Sequence, residues 1–273
     1  MRVVSPRMLA WIARAGFIGR GVVFLILGGV ALSVALSGQG HPLGAAGAMN
    51  AVLRQPLGSV LGLVIAVGLL CFAALRLTEA IDDVYGYGEH WQGLAQRAAL
   101  AIAGFFYVGL GILGASIVLT GEAAANEDAK VRDWTGWALS MPAGKWIVGI
   151  AGVIVAAVGI GLAVSGLRQR FAMRLKKSEE GSGLVIMLGT IGFLARSLVF
   201  VLIGCFLIFA AWHANAREAT GFGGALLSLR SQRYGNALLL TAAAGLLAFG
   251  LFGVSEARFG RAANPTTSAL RRR

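Results

Sequence analysis

The sequence predicts an all-α integral membrane protein with six transmembrane helices. Of its 273 residues, 57% are hydrophobic and only 13% are charged. The mean hydropathy is +0.76, and six apolar stretches are each long enough to form a membrane-spanning helix. A soluble protein of this composition could not cover its surface with polar side chains. Most of the surface must therefore face lipid.

Each of the six stretches reaches the roughly 20 residues that a helix needs to cross about 30 Å of hydrocarbon. A soluble amphipathic helix would carry polar residues on its outer face, whereas residues 60–75 include no charged or amide side chain. Glycine and alanine recur at four-residue spacing inside the spans, which favours close helix packing. The predicted spans are residues 17–36, 57–77, 98–119, 145–165, 184–212 and 236–254.

The net charge of +12 is distributed unevenly along the chain. If the amino terminus is cytoplasmic, most basic residues fall on that side, including the clusters at 168–177 and 258–273. By the positive-inside rule, this bias predicts that both termini are cytoplasmic. Basic clusters beside helix ends attract anionic lipid headgroups, so we expect the bilayer rather than nucleic acid to be the partner. The basic residues left on the other side are Arg54, Lys130, Arg132, Lys145, Arg217, Arg230 and Arg233.

The chain contains an internal repeat in its odd-numbered spans. Residues 16–29 and 192–205 are identical at six of fourteen positions without a gap, among them Arg20/Arg196, Phe24/Phe200 and Gly28/Gly204. The third span is a more distant copy, in which Tyr107 aligns with Phe24. These odd spans are therefore versions of one structural element.

The even-numbered spans repeat as well. Residues 68–80 parallel residues 245–257, and the lead-ins at 56–58, 142–144 and 233–235 correspond to one another. Each lead-in follows a partly apolar segment, which we interpret as a short interfacial helix; Trp134 and Trp137 anchor the second one. The predicted unit is a two-helix hairpin, repeated three times in parallel orientation.

Three parallel repeats imply a rotation axis along the membrane normal, so we predict a pseudo-threefold arrangement. The repeats occupy residues 14–83, 94–171 and 184–259. They are flanked by an amino-terminal cytoplasmic segment at 1–13, a basic linker at 172–183 and a basic, disordered tail at 260–273.

The pattern at Arg20, Gly21, Phe24 and Gly28, together with its copies and the Pro-x-Gly entry of the even spans, resembles a known family. The family comprises bacterial membrane proteins that carry the domain of unknown function 1206, in which a paired-helix domain typically occurs three times. The resemblance covers residues 14–259. The second copy departs from the pattern, since Ala103 stands where Arg20 and Arg196 stand. The resemblance implies architecture and the cytoplasmic (inner) membrane of bacteria, with no established activity.

Charged residues within spans need partners, because burying a charge in hydrocarbon is costly. Arg20 and Arg196 lie near the start of their spans, and the second helix of the same hairpins ends at Glu79 and Glu256. We therefore predict ion pairs of Arg20 with Glu79 and of Arg196 with Glu256 at the membrane interface. In the second copy the arginine is absent, and the alignment puts Arg170 at the position of the acid.

Three interpretations of these charges are open. They could close each hairpin at the interface, they could line a vestibule that attracts an anion, or they could bind a lipid headgroup without transport. Phe24, Tyr107 and Phe200 occupy equivalent positions on the odd spans. These rings would fill a dry core in a structural protein, or line a wet path along the repeat axis in a channel.

The sequence contains no set of residues that indicates an enzyme. The three histidines, His41, His90 and His213, lie at span ends or in loops, where they could not hold a haem inside the membrane. Asp82, Asp83, Glu89 and His90 are close in sequence, but loop acids after a helix are usually solvated, so we expect no metal or cofactor. We predict a non-enzymatic structural, assembly or lipid-interacting role, with a channel or carrier for a small solute or ion as the alternative. A membrane-protein partner or a second copy of the chain is left open.

Overall fold

A computed structural model of the chain describes residues 6–37, 39–42, 44–53, 56–83, 88–120, 127–169 and 182–259. Within these ranges the fold is entirely helical. All six predicted spans are confirmed as helices that are long and apolar enough to cross a membrane. They are α1 (Pro6–Ser37), α3 (Gly58–Ile81), α4 (Trp91–Thr120), α6 (Gly144–Leu167), α7 (Ser182–His213) and α9 (Gly235–Phe259).

Three short helices join the two spans of each repeat at one end of the bundle. They are α2 (Ala45–Leu53), α5 (Glu127–Leu139) and α8 (Phe222–Arg230). We call this the short-helix end, and the opposite end, where α1 begins and α9 ends, the terminal end. Helices α2 and α8 bury much of their apolar surface, whereas Trp134 and Trp137 on α5 are exposed. The three predicted short helices are therefore confirmed as helices, and only α5 exposes the aromatic side chains expected at a membrane interface; the interfacial position of all three stays a prediction.

The turn from each short helix into the following span is built in the same way in the three repeats. A Cβ on Gly58, Gly144 or Gly235 would lie within 2.5 Å of a backbone carbonyl oxygen in or just after the preceding short helix. Only glycine permits so close an approach. In the first two repeats the residue before this glycine, Leu57 or Ala143, has a φ of 63° or 64°. The shared turn explains why the lead-ins correspond in sequence.

The long helices pack as antiparallel neighbours. Helix α4 packs on α3, α3 on α1, α1 on α9, α9 on α7 and α7 on α6. Glycine brings the backbones together at these interfaces: a Cβ on Gly19 would lie 2.7 Å from Gly68 Cα, and a Cβ on Gly21 would lie 2.8 Å from the Gly250 carbonyl oxygen. Small residues thus let α1 approach both α3 and α9, and these three helices hold most of the core.

The second repeat differs from the other two because its two spans, α4 and α6, share no packed interface within the described ranges. Helix α4 packs on the first repeat, whereas α5 and α6 pack on the third. The contact pairs Gly19/Gly68 in the first repeat and Ala195/Gly245 in the third combine small residues. The corresponding positions in the second repeat, counted from the matched helix ends, carry Ile102 and Ile154, and both are more than half exposed. Bulky side chains on both surfaces prevent the close approach.

The predicted hairpin is therefore observed in the first and third repeats only. The pseudo-threefold axis and the side on which the termini lie stay predictions. Most of the predicted linker at 172–183 and all of the tail at 260–273 lie outside the described residues, as does the beginning of the segment at 1–13.

Candidate functional site in the arginine cluster

Three arginines and two phenylalanines form an alternating stack across four helices. Arg76 lies over Phe72 at 4.6 Å, measured from the guanidinium carbon to the ring centre, and Arg20 lies over the same ring at 4.7 Å. Arg20 also lies over Phe249 at 5.0 Å, and Arg196 lies over Phe249 at 5.3 Å. The order in space is thus Arg76, Phe72, Arg20, Phe249, Arg196. Each aromatic face separates two like charges and attracts both of them.

Two carboxylates complete this arrangement, which we call the arginine cluster: Arg20, Arg76, Arg196, Glu79 and Glu256, with Phe72 and Phe249. Arg20 on α1 forms an ion pair with Glu256 on α9, and both side chains are 4% exposed. Arg76 pairs with Glu79, one turn further along α3, at 2.5 Å. Buried charges of this kind are tolerated when they are paired and hydrogen-bonded.

The two rings owe their positions to glycines on the facing helices. A Cβ on Gly16 would lie 2.7 Å from Phe72 Cα, and a Cβ on Gly192 would lie 2.6 Å from Phe249 Cα. These are equivalent contacts of the first and third repeats. Because the glycines admit the backbone of the facing helix, each ring lies deep between helices, within reach of the guanidinium groups.

The predicted pairing within hairpins is wrong, and the helix register gives the reason. Gly16 faces Phe72 and Gly19 faces Gly68, so Glu79 lies about eleven residues beyond the level of Arg20, or roughly 16 Å along the axis. The register of α7 and α9 separates Arg196 from Glu256 by a similar distance. Helix α9 instead carries Glu256 to the level of Arg20, because Gly21 faces Gly250.

The depth of the arginines within their helices also differs from the prediction. Helices α1 and α7 begin at Pro6 and Ser182. Arg20 and Arg196 each therefore lie about 21 Å from the first residue of the helix, rather than one turn from it.

Arg196 differs from the other two arginines in its surroundings. It lies over the rings of Phe24, Phe200 and Phe249 at 5.2–5.3 Å. Its Nε, like that of Arg20, is buried without a hydrogen-bond partner. Within the described part of the chain no carboxylate pairs with Arg196, whereas Glu256 pairs with Arg20.

In comparison with known proteins, one family model matches each of the three repeats. The family model described as "Domain of Unknown Function (DUF1206)" matches residues 15–83, 98–169 and 191–260. The chain belongs to the DUF1206 family. An uncharacterized protein of Bacillus subtilis (strain 168), YxxB, is 29% identical over 263 residues, which cover 94% of each chain. No solved structure matches.

The three DUF1206 copies contribute unequally to the arginine cluster. Counted from the matched helix ends, the second copy carries Val158 at the position of Phe72 and Phe249, and Ser165 at the position of Glu79 and Glu256. Ala103 already stands in place of the arginine. Ser165, and not Arg170, thus occupies the position of the acid, and Arg170 itself lies outside the described residues. The second copy lacks cation, ring and acid together.

The three aromatic residues predicted to line an axis or fill the core have different neighbours. Phe24 is buried, with its ring edge-on to Phe249 at 4.7 Å. Tyr107 is buried against Phe72 at 4.7 Å, and Phe200 is half-buried beneath Arg196. Arg196 therefore links Phe24 to Phe200, whereas Tyr107 lies against the ring between Arg20 and Arg76.

Sequence reasoning missed Arg76, Phe72 and Phe249 as members of the arginine cluster. Two signals pointed to them. Arg76 precedes Glu79 by three residues, a spacing that places both on one helix face. Phe72 and Phe249 recur at the same position of the aligned even spans. No group of three or more His, Cys, Asp or Glu side chains in the described ranges could hold a metal ion.

Proposed function

We propose that this chain is a non-enzymatic protein of the bacterial cytoplasmic membrane that binds an anionic lipid headgroup at the arginine cluster. The observation that carries the proposal is the environment of Arg196. This guanidinium lies among three aromatic rings, and the two carboxylates of the same cluster are engaged by Arg20 and Arg76. An arginine among apolar groups favours an anion, and its fork-shaped guanidinium matches a phosphate.

The uneven distribution of basic residues supports an orientation in which the terminal end faces the cytoplasm. The terminal end carries most of the basic residues, so it would be the cytoplasmic side by the positive-inside rule. Because Arg196 lies about 21 Å from the first residue of α7, the headgroup of an anionic lipid in the cytoplasmic leaflet would have to enter between the helices to reach it. We also propose that the three repeats are arranged about a pseudo-threefold axis, and that the second repeat differs in that its two spans do not pack against each other.

The test measures lipid retention. The full chain is reconstituted in nanodiscs of phosphatidylcholine with one-fifth phosphatidylglycerol, extracted into detergent, and examined by native mass spectrometry. We expect the chain to retain phosphatidylglycerol, and the variant Arg196→Gln to retain about tenfold less, because it loses a charge-assisted hydrogen bond. Arg196→Lys keeps the charge without the fork and should retain an intermediate amount.

The matched control is Arg168→Gln. Arg168 is an exposed arginine at the same end of the bundle, at the end of α6 and outside the cluster. Because Arg168 belongs to the basic cluster at 168–177, its replacement should lower phosphatidylglycerol retention only slightly and far less than Arg196→Gln does. Equal retention by the wild-type chain and Arg196→Gln would overturn the headgroup proposal.

A channel or carrier is the alternative function. The contacts of Phe24 and Tyr107 favour the non-transport proposal, because both rings are buried against other aromatic rings. The discriminating experiment removes the free thiols of Cys71 and Cys205 and places single cysteines at Phe24, Tyr107 and Phe200. Protection of all three from a membrane-impermeant thiol reagent is expected for a dry core. Labelling of all three would favour a water-filled path.

A further inference from the structure

The short-helix end contains a groove that is separate from the arginine cluster. It lies between α5, α8, the end of α7 and the 3₁₀ turn Ala216–Glu218. Its volume is about 570 Å³, and it is open to the outside. We call it the α5–α8 groove; the residues that line it include Arg132, Phe209, Arg217, Glu218, Leu227 and Ser231.

Two arginines that are far apart in sequence converge on this groove. Arg132 comes from α5 in the second repeat, and Arg217 comes from the 3₁₀ turn in the third. The Nε of Arg132 donates to the Ala219 carbonyl oxygen at 3.4 Å, which orients its terminal nitrogens. The Asn215 side chain accepts a hydrogen bond from the Arg217 backbone N–H and thereby holds the turn.

The acidic groups near the groove are largely engaged elsewhere. Glu218 contacts His213 at 2.8 Å. Asp128 accepts hydrogen bonds from the backbone N–H groups of Gly221 and Gly224. Asp133 is exposed at the rim. In the described part of the chain neither Arg132 nor Arg217 forms an ion pair with a carboxylate, so the groove presents two guanidinium groups to an incoming anion.

Apolar surface adjoins these charges. Phe209 is 54% exposed on α7, and Trp137 is 57% exposed on α5 next to Arg132 and Arg217. A tryptophan beside arginines at the end of a membrane span is typical of the headgroup region of a bilayer. The groove therefore combines a cationic part, at Arg132 and Arg217, with an apolar side that continues along the spanning helix α7.

We propose that the α5–α8 groove binds a phosphate-bearing ligand, with the phosphate between Arg132 and Arg217 and any acyl chain against Phe209. Bidentate hydrogen bonds from guanidinium groups suit a phosphate diester or monoester. The ligand chemistry has two sources, a phospholipid headgroup or a free phosphate. The proposed phosphate site combines residues of the second and third repeats, so it depends on the packing of α5 against the third repeat.

The test measures the dissociation constants of short-chain ligands for the full chain in detergent. The chain carries Arg196→Gln, so that the other proposed lipid site does not contribute. Dioctanoyl phosphatidylglycerol should bind saturably, and Arg132→Gln with Arg217→Gln should weaken it at least tenfold. Dioctanoylglycerol, which lacks the phosphate, should bind about as weakly as the phospholipid binds to that double variant.

The control is Arg233→Gln, which removes an exposed arginine at the same end of the bundle but outside the groove. This variant should bind dioctanoyl phosphatidylglycerol with the same affinity as the Arg196→Gln chain from which it is made. Tighter binding of phosphatidylglycerol than of inorganic phosphate would assign the groove to lipid, and equal binding would assign it to free phosphate. Unchanged affinity in the Arg132 and Arg217 double variant would overturn the proposal, whatever the result at Arg196.

Discussion

Arg20 on α1 and Glu256 on α9 form a buried ion pair across 236 positions of the chain. The pair joins the first repeat to the third, next to the glycine contacts between the same helices. Because both side chains are 4% exposed, neither charge can be satisfied by water if its partner is removed. The closure between the two repeats is therefore sensitive to either residue.

Replacing Glu256 with Gln should lower the free energy of unfolding by about 3–5 kcal/mol, since it strands the Arg20 charge. The double replacement Arg20→Met and Glu256→Gln should cost less than the sum of the single changes. Denaturant unfolding in micelles would measure the coupling energy, which we expect to be roughly 1–3 kcal/mol.

The control cycle combines Arg20→Met with Glu79→Gln. Glu79 is linked to Arg20 only through Arg76 and Phe72, so the coupling energy of this cycle should be smaller than that of the Arg20/Glu256 cycle. A larger coupling in this cycle than in the Arg20/Glu256 cycle would support pairing within the hairpin instead.

A second prediction concerns two glycines on α6. A Cβ on Gly159 would lie 2.8 Å from the Val201 backbone nitrogen, whereas a Cβ on Gly161 would have nothing within 4 Å. Gly159→Val should therefore destabilise the contact between α6 and α7 by about 1–3 kcal/mol. Gly161→Val, the matched control, should change stability by roughly 0.5 kcal/mol or less. Thermal unfolding in the same detergent compares them, and equal losses would contradict the observed packing.

The open second repeat can be tested by cross-linking in a chain without Cys71 and Cys205. Cysteines replacing Leu77 and Gly104 should form a disulfide on oxidation, because a Cβ on Gly104 would lie 2.7 Å from Leu77 Cγ. Cysteines replacing Ile102 and Ile154 should not, since α4 and α6 share no packed interface in the described ranges. Mobility on a denaturing gel reports both. Efficient linkage of the 102/154 pair would mean that this repeat closes like the others.

Asp128 provides a fourth prediction. Its Oδ1 accepts hydrogen bonds from the N–H groups of Gly221 and Gly224, at the beginning of α8. Helix α8 has no side-chain cap of its own at Gly221, so Asp128 on α5 supplies one from another repeat. Asp128→Ala should cost about 1 kcal/mol and loosen the first turn of α8.

Hydrogen exchange of peptides covering residues 220–226 measures this loosening. Asp133→Ala, which removes an exposed acid from the same helix, should leave the exchange of these peptides unchanged. If the two variants exchange alike, Asp128 does not cap α8.

Much of the fold could be predicted because hydropathy and repetition are local properties of the chain. The six spans follow from apolar length, and the three copies follow from matching residues such as Arg20/Arg196 and Phe24/Phe200. The lead-in glycines also repeat, since each turn requires a residue without a Cβ. The partners of the charges were predicted wrongly because hairpin connectivity says which helices are neighbours along the chain, but not the register at which they pack.

The sequence by itself determined that this protein has six helices able to span a membrane, that it contains three related two-helix copies, and that charged residues recur in two of them. The reason is that a helix in lipid must be apolar over its whole length, which leaves a direct trace in composition. Only the tertiary structure decided that Arg20 pairs with Glu256, that Phe72 and Phe249 separate three guanidinium groups, and that the second repeat is open. Each of these depends on how closely two backbones approach, which glycine contacts such as Gly21/Gly250 allow and the bulk of Ile102 and Ile154 prevents.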